Sequence, residues 1–463
     1  MGIPQLARIL SYEGLTNKNP DGHAEPRLAE SWALSPDGLK WDFNLRQGVV
    51  FHDGTVLDAE HVVRSLNASR ARPGAAALRP GLLDVKELTA SGPRTVTVEL
   101  ARPSSFLLDD MDVQIGAQGP PGKESPGTGA YRIVSESREE AVLESNDRFV
   151  QGEPVIKKII IRPYQTLRTA WAALMRGEID MVSEVAHDAV EFVSNDAVAA
   201  YSFLRNYQYL VAFNGRRAQF KDPLVRRALN SAVDRAELIR TVLKGHGVPA
   251  NGPLWPHHWA YDSTVPPYAY DTSLAASALR RDTGQFGTSA KAFPGGLRFT
   301  CLIPANFAIL ERLALSVQKQ LYDVGVDMQI EAVPVEKYDG RIRAADFDAV
   351  LIDMIGGPSL ARAYSFWRSP GELKGFNVFG YSNPEADRWF DALRYARDEA
   401  SVRAATGQLQ RVLREDPPAL FLAWNERTRA ISRRFRVPVE GARDPLYTLR
   451  LWSLNTGPEQ SLH

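Results

Sequence analysis

Asp353 closes an apolar run, Phe347-Asp348-Ala349-Val350-Leu351-Ile352-Asp353, and is followed by Met354-Ile355-Gly356-Gly357-Pro358. A carboxylate at a strand end has two uses: it holds a cation, or it caps local backbone amides. Arg362, Tyr364, Phe366 and Trp367 come directly after the Gly-Gly loop. A guanidinium there pairs with a carboxylate, and aromatic faces stack on a peptide or a sugar. Tyr207 and Tyr209, on the strand leading to Asn214, join Met354, Tyr12 and the pair Trp424-Asn425 as further candidates for contact with a small polar ligand. Core packing or plain exposure is the competing reading for each of them taken singly.

Catalysis and metal binding find less support. There is no His-Glu-x-x-His, and the nearest approach to a nucleophile elbow, Gly357-Pro358-Ser359-Leu360-Ala361, lacks the second glycine and sets a rigid proline before the serine. His257 and His258 are adjacent, so their side chains point apart, and a solvated loop is expected for them. The expectation is no catalytic residue, no metal and no cofactor. The single cysteine, Cys301, excludes an internal disulfide and a thiolate metal site. The 55 basic residues balance 55 acidic ones, which leaves no net field to attract nucleic acid.

The elements that must position these residues follow from length and periodicity. A chain of 463 residues exceeds one hydrophobic core, so two or three domains are expected. No apolar run approaches the roughly 20 residues that span a bilayer; Tyr209 to Phe213 and Ala419 to Trp424 are strand-sized. Ser35-Pro36-Asp37-Gly38 and His52-Asp53-Gly54 are turn chemistry, with the alternating strand Trp41, Phe43, Leu45 between them. Asp58 caps a helix with Val62, Val63 and Leu66 inward. Ala71 to Pro80 reads as an exposed loop and Pro120 to Gly129 as a domain crossover. Strands are expected at Val96 to Leu100, Tyr131 to Val134 and Ile159 to Pro163, and a helix at Leu167 to Met175. Asp222-Pro223 and Asp234 with Glu237 each start a helix. Leu297 to Ile303, a helix from Leu310 to Leu321, and Val326 to Ile330 form a strand, helix, strand unit. Further helices start at Asn383-Pro384 and near Ala400.

The turn, strand, turn, helix order from Leu28 to Leu66 resembles the extracellular solute-binding proteins of family 5, the oligopeptide-, dipeptide- and nickel-binding receptors of ABC importers. Gly127-Thr128-Gly129-Ala130-Tyr131 is similar to the family's T-G-P-Y turn, and Gly177-Glu178-Ile179-Asp180 to its G-E-x-D segment. Phe213-Asn214, Phe220, Asp222, Val225-Arg226, Ala228-Leu229 and Asp234-Arg235 follow its F-N…F-x-D-x-x-V-R-x-A-L…D-R run. Tyr381-Ser382-Asn383-Pro384-Glu385 with Asp387, and Gly441 with Asp444-Pro445-Leu446, resemble its later segments.

The resemblance implies an α/β fold of the two-lobed periplasmic-binding-protein type II kind, with a small extra domain on the first lobe. Residues 1–15, 123–215 and 430–463 would form lobe I, 16–122 the extra α+β domain, and 216–429 lobe II. It implies a monomeric receptor that captures a peptide or other small polar solute in an interlobe cleft, closes by hinge bending, and delivers it to an ABC permease and ATPase. It further implies a periplasmic or extracellular, membrane-associated location. Because Tyr12-Glu13-Gly14-Leu15 lies so near Met1, the expectation is a longer native protein with an export signal and a first strand ahead of this chain.

In peptide-binding members a carboxylate just after the Phe347-type strand holds the α-amine of the peptide. Counted without gaps, that position falls near Gly357, and Met354 stands where a tryptophan is common. Ligands without a free amine, such as a sugar or another small polar solute, therefore gain weight, and Asp353 is either a substitute clamp, if the loop has shifted, or a cap on local backbone amides. The alternatives are a cytosolic ligand-sensing module built on the same fold and, last, a hydrolase.

Overall fold

A computed structural model describes residues 2–72, 78–117, 125–281, 296–370 and 376–455. The expected loop at Ala71 to Pro80 and the crossover at Pro120 to Gly129 lie partly outside these residues.

Local signals place the first elements. A short hairpin joins β1 (Thr16–Lys18) to β2 (Ala24–Pro26). A four-stranded antiparallel sheet follows, made of β3 (Ala29–Leu34), β4 (Lys40–Leu45), β5 (Val85–Gly92) and β6 (Thr95–Leu100) in the order β3-β4-β6-β5. Period-two alternation turns Phe43, Leu45, Val96 and Val98 inward against the helix Ala59–Ala71. Asp58 caps that helix, accepting from the His61 backbone N–H at 3.0 Å. A second sheet, β7 (Tyr131–Glu136), β8 (Ala141–Ser145) and β9 (Lys158–Ile161), shares a core with the helix Ile3–Ser11 around Tyr131, Leu143 and Trp452.

The largest sheet has seven strands: β10 (Met181–Val185), β11 (Val198–Phe213), β12 (Gly247–Pro249), β13 (Arg298–Pro304), β14 (Asp327–Val333), β15 (Ala349–Ile355) and β16 (Ala419–Ser432). Its order is β10-β16-β11-β15-β13-β14, with β12 paired to β16. β13 and β14 are parallel and joined through the helix Ala308–Tyr322, which ends before Gly325 at φ +87°. Alternation divides β11 between two cores. Tyr209, Val211 and Phe213 pack with Cys301, Leu313 and Leu420, whereas Leu210 and Ala212 pack with Val350, Trp367 and Phe421 on the opposite face.

β11 and β16 are far longer than the strand-sized apolar runs suggest. Their outer ends, Val198 and Ala430, belong to a separate small core with Leu174 and Val182. Their pairing breaks between Leu204 and Gln208, and resumes with Gln208 opposite Trp424. Two long strands thus run from one set of cores to another and lose their ladder in the middle, at the place where the cleft opens.

Candidate ligand-binding cleft

The interruption in the β11–β16 ladder forms the floor of a cleft of about 580 Å³. The hairpin residues Asn17 to Asp21 cover one side, and Trp255, His257 and Pro358 stand on another. Ala442, Arg443, Asp444 and Tyr447 close the rim. A volume of this size suits a small-molecule or short-peptide site.

The walls are rich in guanidinium groups, each held by a carboxylate. Arg205 Nη1 donates to Asp353 Oδ2 at 3.2 Å, and Arg427 Nη2 lies 3.6 Å from the same oxygen while its Nη1 meets Glu184. Arg429 makes a two-pronged pair with Asp444, at 2.6 and 2.5 Å. Arg443 donates to Glu25 at 2.8 Å and to Asn19 at 2.5 Å. Lys18 approaches Asp112 at 3.1 Å. Burial works against ionising Asp112, but Lys18 and Arg79 prevail and hold its carboxyl well below the ordinary range.

Arg205 is the least committed of these groups. Among the described residues it has one carboxylate partner, its side chain is 22% exposed, and its guanidinium lies over the Tyr207 ring at 3.9 Å. Such a group has donors left for an incoming carboxylate.

Of the sequence-derived candidates, Tyr207 alone lines the cleft. Asp353, Asn425 and Tyr209 form a layer directly behind its wall. Asn425 Nδ2 donates to the Tyr209 hydroxyl at 2.9 Å and faces both Asp353 oxygens at 3.4 Å. Burial pushes the Asp353 carboxyl up, against the opposing pull of Arg205 and Arg427. Asp353 therefore neither caps local amides nor faces the cleft as a clamp; it anchors the arginines that do face it.

The other candidates fall elsewhere. Met354, Tyr364 and Trp367 are core residues, because the helix Leu360–Trp367 turns its apolar face onto the sheet; Trp367 stacks on Phe379 at 5.2 Å. Phe366 packs against Phe376. Arg362 donates to the Leu78 carbonyl. Asn214 closes the end of β11 by donating to the carbonyls of Ala345 and Phe347, at 3.1 and 2.9 Å. The Tyr12 hydroxyl donates to the Ser125 carbonyl at 2.6 Å. Trp424 meets Trp255 edge-on at 4.8 Å, and so supports the cleft from below. The solvated loop expected at His257-His258 is corrected for His258: Leu254, Trp255 and Ala260 bury that turn, and its Nδ1 accepts from the Ala260 N–H at 3.0 Å.

Sequence reading missed Arg205, Arg427, Arg429 and the hairpin. A signal existed for two of them, since Arg427 and Arg429 share one strand face two residues apart. Nothing local marks the hairpin as part of the site.

Residues 23–372 match the profile of the family described as "Bacterial extracellular solute-binding proteins, family 5 Middle". The chain is 27% identical over 446 residues to the glutathione-binding protein GsiB of Pectobacterium atrosepticum, covering 89% of this chain and 82% of that protein. It is 25% identical over 476 residues to the oligopeptide-binding protein AppA of Bacillus subtilis, covering 96% and 86%. The crystal structure of NikZ from Campylobacter jejuni in complex with Ni(L-His) shares the fold with a TM-score of 0.81 at 22% identity, over 96% of this chain and 94% of that one.

Proposed function

The chain belongs to the bacterial extracellular solute-binding proteins, family 5, and from that premise we propose that its cleft captures a small polar solute bearing a carboxylate, such as a short peptide, and closes over it. Arg205 carries this reading. It is a partly exposed guanidinium, stacked on Tyr207, with a single carboxylate partner behind it. An incoming carboxylate gains charge-assisted hydrogen bonds there without displacing a two-pronged protein pair. The glutathione- and oligopeptide-binding names of the two relatives agree with a ligand of this chemistry.

Closure is a hinge motion about the stretch 204–208 of β11 and the facing residues of β16, where the β11–β16 pairing is interrupted while Tyr207 and Gln208 stay paired to β15 and Asn425 to β12. The two lobes then divide close to these residues, inside the long strands rather than past residue 215. The shut form is the one handed to an ABC permease with its ATPase, by a monomer working in the periplasm or at the outer face of the membrane.

Native mass spectrometry of the freshly purified protein, followed by a thermal-shift screen, tests the reading. The screen covers glutathione, short peptides, opines, neutral sugars and nickel chelates. A ligand at a hundred times its Kd stabilises by about 2.7 kcal/mol. Stabilisation by carboxylate-bearing solutes is expected. Stabilisation by neutral sugars alone would overturn the carboxylate assignment, and turnover of a solute would overturn the receptor reading.

A further inference from the structure

We infer that the β1–β2 hairpin is the strap that shuts the cleft, and that the contact between Gly22 and His258 sets the fit of the shut form. This deepens the receptor reading and rests on it.

The hairpin is rooted on one side of the cleft. The Leu15 N–H donates to the Met111 carbonyl at 2.9 Å, and Thr16 Oγ1 donates to the Leu108 carbonyl at 2.8 Å. Lys18 pairs with Asp112, and Glu25 accepts from Arg443 at 2.8 Å. Its tip meets the other side. Trp255 Nε1 donates to the Pro20 carbonyl at 2.9 Å, the Trp259 N–H donates to the Asp21 carbonyl at 2.8 Å, and the His23 ring stacks on Trp259 at 5.0 Å. Residues 17–21, which run from the root into the tip, line the cleft. Separating the two sides breaks the tip bonds together with the Arg394–Asp84 pair and the Ser359–Asp109 bond that join the same sides, and leaves the root intact.

Gly22 is the closest point of this docking. It takes φ +91°, and a Cβ built there would stand 2.3 Å from His258 Cδ2 and 2.9 Å from the Pro358 carbonyl oxygen. The His258 ring cannot swing aside without losing the hydrogen bond from the Ala260 N–H to its Nδ1. A side chain at position 22 is therefore compatible with the hairpin and incompatible with its docked position.

Cys301 is buried, so introduced cysteines accept spin labels selectively. Labels at Glu60→Cys, on the helix that shares a core with the root residues Leu15 and Met111, and at Glu385→Cys, on the helix that shares a core with Trp255, are both exposed and report the distance between the sides by electron double resonance, with no solute added. Gly22→Asn supplies the Cβ with the least backbone strain in a left-handed position. It is expected to cut the short-distance fraction about tenfold. Adding His258→Ala to Gly22→Asn removes the nearer obstacle, with the Pro358 carbonyl oxygen still 2.9 Å from the new Cβ, and is expected to recover part of the lost fraction. Trp255→Phe keeps the ring, loses the bond to Pro20, and is expected to shift the distribution the same way by less. If Gly22→Asn loses cooperative melting, Trp255→Phe decides. A distribution unchanged by Gly22→Asn or by Trp255→Phe, or a double variant no better than the single, overturns the strap. Because these readouts need no solute, a working strap in a protein that no solute stabilises would instead count against the receptor reading alone.

Discussion

Asp353 Oδ2 and Arg205 Nη1 lie 3.2 Å apart across the antiparallel pairing of β11 and β15, in which Tyr209 stands opposite Asp353. The carboxylate is spent on a wall guanidinium, so it supports the site from behind. Asp353→Asn keeps the shape and removes the charge that Arg205 and Arg427 share. The expected outcome is a loss of about 1–3 kcal/mol of unfolding free energy in urea, with binding of a carboxylate-bearing solute retained. Arg205→Met should instead weaken that solute about tenfold, or about 1.4 kcal/mol by titration calorimetry, with little change in stability. Loss of binding in Asp353→Asn together with a silent Arg205→Met would make Asp353 the ligand clamp after all.

A buried ion pair ties the segment just ahead of β5 to the helix Pro384–Arg394. Arg394 Nε donates to Asp84 Oδ2 at 2.9 Å, both side chains are 1% exposed, and Arg394 Nη1 donates to the Tyr364 hydroxyl at 2.8 Å. Arg394→Met leaves the buried carboxylate to the half-exposed Arg102 at 3.4 Å, and should cost about 3 kcal/mol, the low end for a broken buried pair, in chemical denaturation. Combining it with Asp84→Leu should recover most of that loss. A single variant as stable as the parent would mean that the pair is dispensable.

His258 gives the strap contact a pH dependence. Burial pushes its pKa down to about 4, and His23 and Arg403 act in the same direction while Asp21 opposes. A histidine kept neutral when folded and titrating near 6.5 when unfolded contributes stability that is full above pH 6.5. That contribution is lost as pH falls from 6.5 toward 4. Asp110, pushed up to about 7 by burial, works the other way, losing its contribution as pH rises through the same window. The difference between parent and His258→Gln isolates the histidine. It should shrink by on the order of 2 kcal/mol between pH 7 and pH 4.5 in denaturation curves. A difference independent of pH would refute the assignment.

Cys301 is fully buried in β13, and burial pushes its thiol up to about 12. A disulfide reagent such as DTNB should leave the native protein unmodified and react fully once the protein is unfolded. Rapid reaction at neutral pH without denaturant would contradict the packing between β13 and the helix Ala308–Tyr322.

Much of the scaffold is legible in the chain because its signals are local. Asp58, Asp222, Asp234 and Asn383 all cap the helices expected of them, and the helix Leu167–Met175 has the expected bounds. β11 and β16 were underestimated for a physical reason. Arg205, Asn206, Arg427 and Arg429 interrupt their apolar runs, and charges inside a strand signal a strand end unless their partners are known. Tyr364 and Trp367 misled in the opposite direction. An aromatic cluster beside a glycine loop suits ligand stacking, yet its helix faces the sheet and buries both.

The sequence by itself determined the order of elements, their caps and turns, and the family to which the chain belongs, since each depends on residues a few positions apart. Only the tertiary structure decided which charges meet. Arg205, Asp353 and Arg427 come from three distant strands, and they converge because the register of the sheet sets Gln208 against both Met354 and Trp424. That register results from burying two opposite faces at once, a long-range condition that no local spacing carries.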